Sequence, residues 1–72
     1  MRRTSQIIYQ IIAEHEPLDT HELTERSLEA NLVPEQVNPA VGELFDRSLI
    51  ETESVTGRTL WRTATDHPDR TD

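Results

Sequence analysis

Four isoleucines near the start of the chain set the strongest constraint on its fold. They are Ile7, Ile8, Ile11 and Ile12. Their spacing places all four on one face of a helix running through the segment SQIIYQIIAEH. A helix of about eleven residues is marginal on its own in water, so this face must pack against other elements. We expect Thr4 or Ser5 to cap the helix and Pro17 to stop it.

The chain has 72 residues, which is enough for one small domain with a modest hydrophobic core. It contains no cysteine, so neither a disulfide framework nor a thiolate metal site is available. No apolar stretch approaches the ~20 residues of a membrane-spanning helix, and none is typical of a signal peptide. We therefore expect a cytoplasmic protein without a membrane partner.

The charge of the chain is strongly negative, with a net value of −7 and 14 acidic residues. All seven basic residues are arginine, and there is no lysine. This composition resembles that of proteins from extreme halophiles, in which a hydrated carboxylate surface keeps the protein in solution at high salt. The resemblance implies a halophilic archaeon, or a virus of one, as the source.

The acidic residues are unevenly distributed along the chain. Residues 1–13 and 54–65 contain none, and these two stretches hold Arg2, Arg3, Arg58 and Arg62. Residues 14–53 hold eleven acidic residues and two arginines. Positive charge is thus concentrated at the two ends of the predicted folded region, and a fold that brings those ends together would create a basic surface.

The second predicted helix begins in the segment PLDTHELTER. Asp19 and Glu22 have the spacing of a capping box, with Thr20 as an alternative cap. The apolar side of this helix is marked by Leu23 and Leu28. Asn31 is suited to the left-handed conformation that closes a helix.

The third predicted helix contains two prolines, Pro34 and Pro39. A single helix starting at Pro34 would enclose Pro39 and lose its hydrogen bond to Glu35, at a cost of ~3 kcal/mol. We therefore expect one turn at residues 34–37, then a helix over residues 39–48 capped by Asn38. The face that this segment buries comprises Val37, Val41, Leu44, Phe45 and Ser48.

The segment IETESVTGRTLWRT predicts a β-hairpin with a two-residue turn at Thr56-Gly57. This register pairs Val55 with Arg58 and Glu51 with Arg62. One face of the hairpin would carry Ile50, Thr52, Trp61 and Thr63, with Trp61 covering the core. Residues 1–63 are then the domain, and residues 64–72 are polar, without periodicity, and expected to be disordered.

The segment VNPAVGELFDRSLIETE resembles the recognition helix and wing entry of winged helix-turn-helix domains of the MarR and ArsR type. HELTER followed by NL is similar to the second helix and turn, and GRTLWRT to the return strand of the wing. The resemblance covers residues 5–63. It implies a mainly α fold with a small β-hairpin, and a DNA-binding protein that regulates transcription. The exposed side of the third helix is acidic where such helices are usually basic.

This resemblance also implies a set of DNA contacts. Arginines of the wing and of the chain start would bind phosphate, two amides on the third helix would read base edges, and Arg47 would reach guanine or a phosphate. The candidate DNA-binding residues are Arg2, Arg3, Gln36, Asn38, Arg47, Arg58, Thr59 and Arg62. Simpler roles are open for several of them: Arg62 as a cross-strand ion pair with Glu51, Arg58 as a charge that solubilises the turn, and Asn38 as a helix cap.

No pattern in the chain indicates catalysis, a metal or a cofactor. The three histidines lack ligand spacing, and HELTE lacks the second histidine of a zinc protease. We expect no enzyme activity, with double-stranded DNA as the main partner. The alternative is a winged-helix adaptor that binds a protein instead, because a fold does not determine a function. The chain is expected to be a monomer or a weak homodimer through Tyr9 and the flank of the first helix.

Overall fold

The computed structural model describes residues 2–64, which form three α-helices followed by a two-stranded antiparallel hairpin. The elements are α1 (Arg3–His15), α2 (Thr20–Glu29), α3 (Pro34–Asp46), β1 (Ile50–Val55) and β2 (Arg58–Thr63). This confirms the predicted mainly α fold with a small β-hairpin. Apart from Ala64, which donates its backbone N–H to the Leu49 carbonyl at 3.0 Å, the predicted tail lies outside the described residues.

Helix α1 packs its isoleucine face against the core, as the isoleucine pattern predicts. Ile8 and Ile12 are completely buried. Ile7 and Ile11 are half-buried and pack against the edge of the core. The nine buried hydrophobic residues among residues 2–64 are Ile8, Ile12, Leu18, Leu23, Leu32, Val37, Ala40, Leu44 and Ile50.

The predicted cap of α1 is wrong. The helix begins at Arg3, and its N-cap residue, Arg2, makes no side-chain capping bond. Thr4 and Ser5 both lie inside the first turn. Ser5 is fully buried, and its hydroxyl donates to Glu43 Oε1 on α3 at 2.5 Å. The Ser5 hydroxyl therefore bonds to another helix instead of capping its own.

Helix α2 begins with the predicted capping box. Glu22 N–H donates to Asp19 Oδ1 at 2.8 Å, and Asp19 N–H donates to Glu22 Oε1 at 3.0 Å. The helix ends at Glu29, and Asn31 has a φ of 67°, which confirms its left-handed closing role. Leu23 is buried, but the prediction for Leu28 is wrong, since it is 52% exposed.

Ser27 takes the buried position on α2 that the sequence pattern assigned to Leu28. Its side chain is fully buried, and its hydroxyl donates to the Leu23 carbonyl at 2.7 Å. A hydroxyl that bonds back to the carbonyl four residues earlier satisfies itself within its own helix. A serine can therefore occupy a core position that a count of apolar residues misses.

Helix α3 is continuous from Pro34 to Asp46, so the predicted break at Pro39 is wrong. Pro39 and Glu35 are both exposed, so water can bond the Glu35 carbonyl that Pro39 leaves without a donor. A continuous helix also keeps Val37, Ala40 and Leu44 buried on one side. The loss of one exposed hydrogen bond is offset by an uninterrupted buried face.

The C-terminal part of the predicted α3 face is also wrong in two places. Phe45 is 51% exposed and meets the edge of Trp61 in a T-shaped contact, with 6.1 Å between ring centroids. Ser48 lies beyond the helix with a φ of 61°. Because α3 starts earlier and ends earlier than expected, its last turn does not extend to Ser48.

The hairpin has the predicted register, with Val55 opposite Arg58 and Glu51 opposite Arg62. Thr56 and Gly57 have φ values of 51° and 79°, and two positive values indicate the tight turn that suits antiparallel strands. The hairpin is joined to the α1–α2 loop by two backbone bonds between Leu18 and Trp61, at 2.7 and 3.1 Å. Trp61 is half-buried against the core, as expected.

Candidate nucleic-acid interface

Two amide side chains lie exposed on the first half of α3. Gln36 Oε1 accepts a hydrogen bond from the Val33 backbone N–H at 3.1 Å, which leaves its NH2 group as a donor. Asn38 lies inside the helix, so its predicted role as a cap is wrong. Within residues 2–64 its side chain has no hydrogen-bond partner. Asn38 therefore presents both a donor and an acceptor to solvent.

The remaining exposed side of α3 is not basic. Glu35, Pro39, Gly42 and Asp46 follow one another along it at three- and four-residue spacing, and all four are exposed. Two acidic residues thus lie at the ends of this side, with a proline and a glycine between them. This side would gain no attraction from the phosphates that border a DNA groove.

Arg47 and Arg2 both lie beside one carboxylate. Arg47 follows the end of α3, and its Nε is 3.3 Å from Glu43 Oε2. Arg2 precedes α1, and its Nε is 4.0 Å from Glu43 Oε1. The hydrogen bond from Ser5, followed by the charges of Arg47 and Arg2, holds the pKa of Glu43 below its usual value of 4.5. Glu43 therefore joins the start of α1 to the end of α3.

The contact between Ser5 and Glu43 was missed from the sequence. One signal was available, because Ser5 precedes Ile8 by three residues and so lies on the isoleucine face. A serine on a buried face needs a partner for its hydroxyl. The sequence does not reveal that this partner lies 38 residues away on α3.

Arg58 extends from the start of β2 to the N-terminus of α2, where it forms an ion pair with Asp19. The side chain of Arg58 is 59% exposed. The pKa of Asp19 is lowered below its usual value of 3.8, first by the Glu22 backbone N–H and then by the Arg58 guanidinium. The acid that caps α2 thus also neutralises the arginine nearest the hairpin turn.

Arg62 is held on the hairpin by two acids of the neighbouring strand. It forms an ion pair with Glu51, which lies directly opposite, and its Nε is 3.2 Å from Glu53 Oε1. The simpler role for Arg62, a cross-strand ion pair, is therefore present in the fold. Its exposed fraction is 35%, well below that of Arg58.

The end of the hairpin is tied to the end of α1 through Glu16. Glu16 Oε1 accepts from both the backbone N–H and the hydroxyl of Thr63, each at 2.7 Å. These two bonds lower the pKa of Glu16 below its usual value of 4.5, with a smaller contribution from Arg62. The bonds hold β2 in place along α1.

The other two candidates, Arg3 and Thr59, are exposed. Thr59 lies next to Arg58 on β2 and pairs with Ser54 across the hairpin. Arg3 has no ion pair among residues 2–64. Neither residue is tied to the acidic surface in the way that the other arginine candidates are.

The charge arrangement differs from the one that the sequence suggested. Four of the five candidate arginines each lie beside at least one carboxylate, and those carboxylates belong to Asp19, Glu43, Glu51 and Glu53. The arginines near the chain start and those on the hairpin are held by acids on different elements. The fold therefore pairs four of these arginines with acids instead of gathering all five into one basic surface.

The described residues offer little support for a metal site or for a membrane-spanning helix. No three acidic or histidine side chains in residues 2–64 lie close enough together to hold a metal ion. His21 Nε2 lies 3.0 Å from Glu25 Oε2, one helical turn along α2. His67 lies outside the described residues. None of the described helices combines the length and the apolar character that a bilayer span requires.

Comparisons with protein-family models, with curated proteins and with solved structures give no match. The chain's own residues and geometry are therefore the basis for any assignment. The arrangement of three helices and an antiparallel hairpin is compatible with a winged helix.

Proposed function

We propose that this chain is a winged helix-turn-helix domain that binds double-stranded DNA and regulates transcription. The observation that carries the proposal is the exposed, unengaged amide of Asn38 on the first half of α3, two residues after the hydrogen-bonded Gln36. Asparagine and glutamine side chains bond adenine through paired donor and acceptor groups in the major groove. In this reading α3 enters the groove with its N-terminal half, and β1 and β2 form the wing.

The paired arginines are compatible with this role. Exposed ion pairs contribute little to stability because water and salt screen them, so a DNA phosphate can replace the carboxylate beside an exposed arginine. Arg58, with 59% of its side chain exposed, is the best placed for such an exchange. Arg3 needs no exchange at all, since it has no ion pair within residues 2–64.

The acidic residues also define how the domain would dock. Glu35 and Asp46 lie on the exposed side of α3 and would be repelled by phosphates. Glu35 lies three residues before Asn38 and is its neighbour on the surface of α3, so a groove contact through Asn38 has to tolerate this acid near the backbone. In a salt-rich cytoplasm, counterion release gives little free energy, and a protein adapted to it depends more on hydrogen bonds than on charge.

The test is selection from a randomised duplex pool in about 2 M KCl, followed by sequencing. We expect one enriched motif, and we expect its addition to labelled protein to shift the amide signals of residues 36–38 and 58–60. A pool that stays random at every salt concentration would contradict DNA binding. Shifts confined to α1 would contradict the assignment of the interface even if the protein bound DNA.

A second candidate, a protein-binding adaptor, is favoured by one observation. Phe45 is 51% exposed at the end of α3, beside Asp46 and against the edge of Trp61. An exposed aromatic residue next to acidic ones suits a partner protein better than a nucleic acid. If this candidate is correct, Phe45→Ser removes a protein recovered with the chain from cells, whereas Asn38→Ala does not.

A further inference from the structure

The exposed side of α1 carries a shallow groove of about 320 Å³. It is lined by Arg3, Gln6, Ile7, Gln10 and Ile11. Ile7 and Ile11 pack against the core with one side and remain partly open with the other. In the part of the chain that the structure describes, this groove faces solvent.

The two ends of the groove carry opposite charges. Arg3 lies at the N-terminal end of α1 and Glu14 at the C-terminal end, eleven residues and close to three turns apart. That spacing places both on the side that carries Ile7 and Ile11. Arg3 has no ion pair within residues 2–64, and Glu14 accepts only a 3.3 Å bond from Gln10.

We infer that this side of α1 is the interface of a symmetric homodimer in which two copies of α1 pack antiparallel. A two-fold axis between Ile8 and Tyr9 places Arg3 of each copy opposite Glu14 of the other. The same axis places Ile7 opposite Gln10, and brings the half-buried isoleucines of both copies to the centre. The contact between Arg3 and Glu14 therefore occurs twice, once on each side of the axis, as a two-fold interface requires.

The charges favour a second copy over other occupants. A parallel pair of α1 helices would put Arg3 against Arg3 and Glu14 against Glu14, which is repulsive at both ends. A nucleic acid would be repelled by Glu14. The inference concerns α1 alone and shares only Arg3 with the proposed DNA contacts.

The size of the surface indicates a weak dimer. Helix α1 has 13 residues and is therefore about 20 Å long. A single pair of such helices buries less than the ~800 Å² per partner of a standard stable interface. We expect a dissociation constant in the micromolar range or above.

Sedimentation equilibrium of the full chain over a range of concentrations tests this interface through charge exchange. Arg3→Glu alone places two acids opposite each other at both ends, and Glu14→Arg alone places two arginines there. Each single variant should raise the dimer dissociation constant about tenfold or more. The double variant, R3E with E14R, should return it close to the original value.

Mixing the two single variants is the sharpest form of the test. In the mixed dimer, one copy carries acids at both positions and the other carries arginines, so both contacts are restored. We expect a heterodimer to form where neither variant forms a dimer alone. Circular dichroism shows whether each variant is folded. The mixture contains the same two variants that are measured separately, so a difference in their stability cannot explain the formation of a heterodimer.

Arg26→Glu is the matched control, because Arg26 is an exposed arginine on α2 without an ion pair in residues 2–64. It should leave the dimer unchanged. A chain that is monomeric at every concentration overturns the inference. So does a dimer that survives both single exchanges, or one that neither the double variant nor the mixture restores.

Discussion

Arg58, at the start of β2, forms an ion pair with Asp19, the residue that caps α2. The tip of the hairpin is thereby joined to the helix that precedes α3. Asp19 has two functions, since one oxygen accepts the Glu22 backbone N–H and the other meets the guanidinium. These functions can be separated, because asparagine caps a helix as well as aspartate does but carries no charge.

Asp19→Asn should therefore strengthen DNA binding while leaving the fold intact. The variant keeps the cap and frees Arg58 for a phosphate, so we expect roughly two- to fivefold tighter binding. Titration of a labelled duplex by fluorescence anisotropy measures the effect. Glu29→Gln is the control, because it removes one exposed charge on α2 that has no ion pair in residues 2–64. If Asp19→Asn and Glu29→Gln raise the DNA affinity equally, the cause is the change in net charge, and Arg58 is not a specific contact in the interface.

Replacement of Pro39 tests the continuous α3. In the observed helix Pro39 withholds a hydrogen bond from the Glu35 carbonyl. Pro39→Ala supplies that donor and should raise the free energy of unfolding by up to ~3 kcal/mol. The gain is reduced because the unfolded chain is more flexible without the proline. Thermal unfolding followed by circular dichroism measures the change. A neutral or destabilising result would instead favour a helix that starts at Pro39, where proline is well placed.

The parts of the fold that the sequence predicts are those with local causes. The isoleucine face of α1, the capping box at Asp19 and the turn at Thr56-Gly57 each depend on residues within a few positions of one another. The errors have causes that lie farther away. Pro39 is accepted inside α3 because Val37, which precedes it, is buried on the same side as Ala40 and Leu44. Ser5 is buried because Glu43 on another helix accepts its hydroxyl.

The candidate site was harder to predict for the same reason. The acid-free stretches are a property of the chain, whereas the charge of a surface depends on which acids the fold brings beside each arginine. Only the pair of Glu51 and Arg62 followed from the hairpin register. Asp19 and Arg58 are 39 residues apart, and no local pattern indicates that they meet.

Leu44 and Leu28 provide a test of the core. Leu44 is fully buried and Leu28 is 52% exposed, although the sequence assigned both to apolar faces. Leu44→Ala should lower the free energy of unfolding by about 2–5 kcal/mol, a large fraction of the stability of so small a domain. Leu28→Ala should change it by less than about 1 kcal/mol. Urea unfolding of both variants measures these changes. Equal losses in the free energy of unfolding would contradict the observed packing of α2.

Acid should destabilise the fold through Glu43. Its pKa is lowered from 4.5 by the bond from Ser5 and the charges of Arg47 and Arg2. A lowered pKa contributes stability that is fully present above the unfolded value and is lost as the pH falls through the folded value. The loss should therefore begin near pH 4.5 and increase below it, with Glu16 and Asp19 acting in the same direction.

Comparison with Glu43→Gln isolates this contribution from the general relief of charge repulsion in acid. The amide can still accept from Ser5, but it no longer attracts the two arginines. We expect the melting temperature of the variant to fall less steeply between about pH 5 and pH 3 than that of the unchanged chain. Identical pH profiles for both proteins would show that the Glu43 carboxylate contributes nothing to folding.

Two alanine variants separate base reading from phosphate binding. Asn38→Ala removes an exposed amide from the interior of α3, so its stability should be unchanged or slightly higher, since alanine is the better helix former. Its effect should be on specificity, with a loss of about 1–3 kcal/mol of preference at one base pair of the selected motif. Arg58→Ala should weaken binding to all duplexes by a similar factor and reduce the slope of log affinity against log salt by about one.

The two effects are read from one set of titrations with the selected motif, with a single-base variant of it and with an unrelated duplex, at several salt concentrations. Thr59→Ala, next to Arg58 on β2, is the control for changes in the wing that remove no charge, and should leave the salt slope as it is. Because Asn38 lies inside a helix and is not its cap, a change in preference by Asn38→Ala cannot be attributed to lost folding. Equal weakening of all duplexes by Asn38→Ala, with no change in preference, would place α3 outside the groove and leave the wing as the only DNA contact.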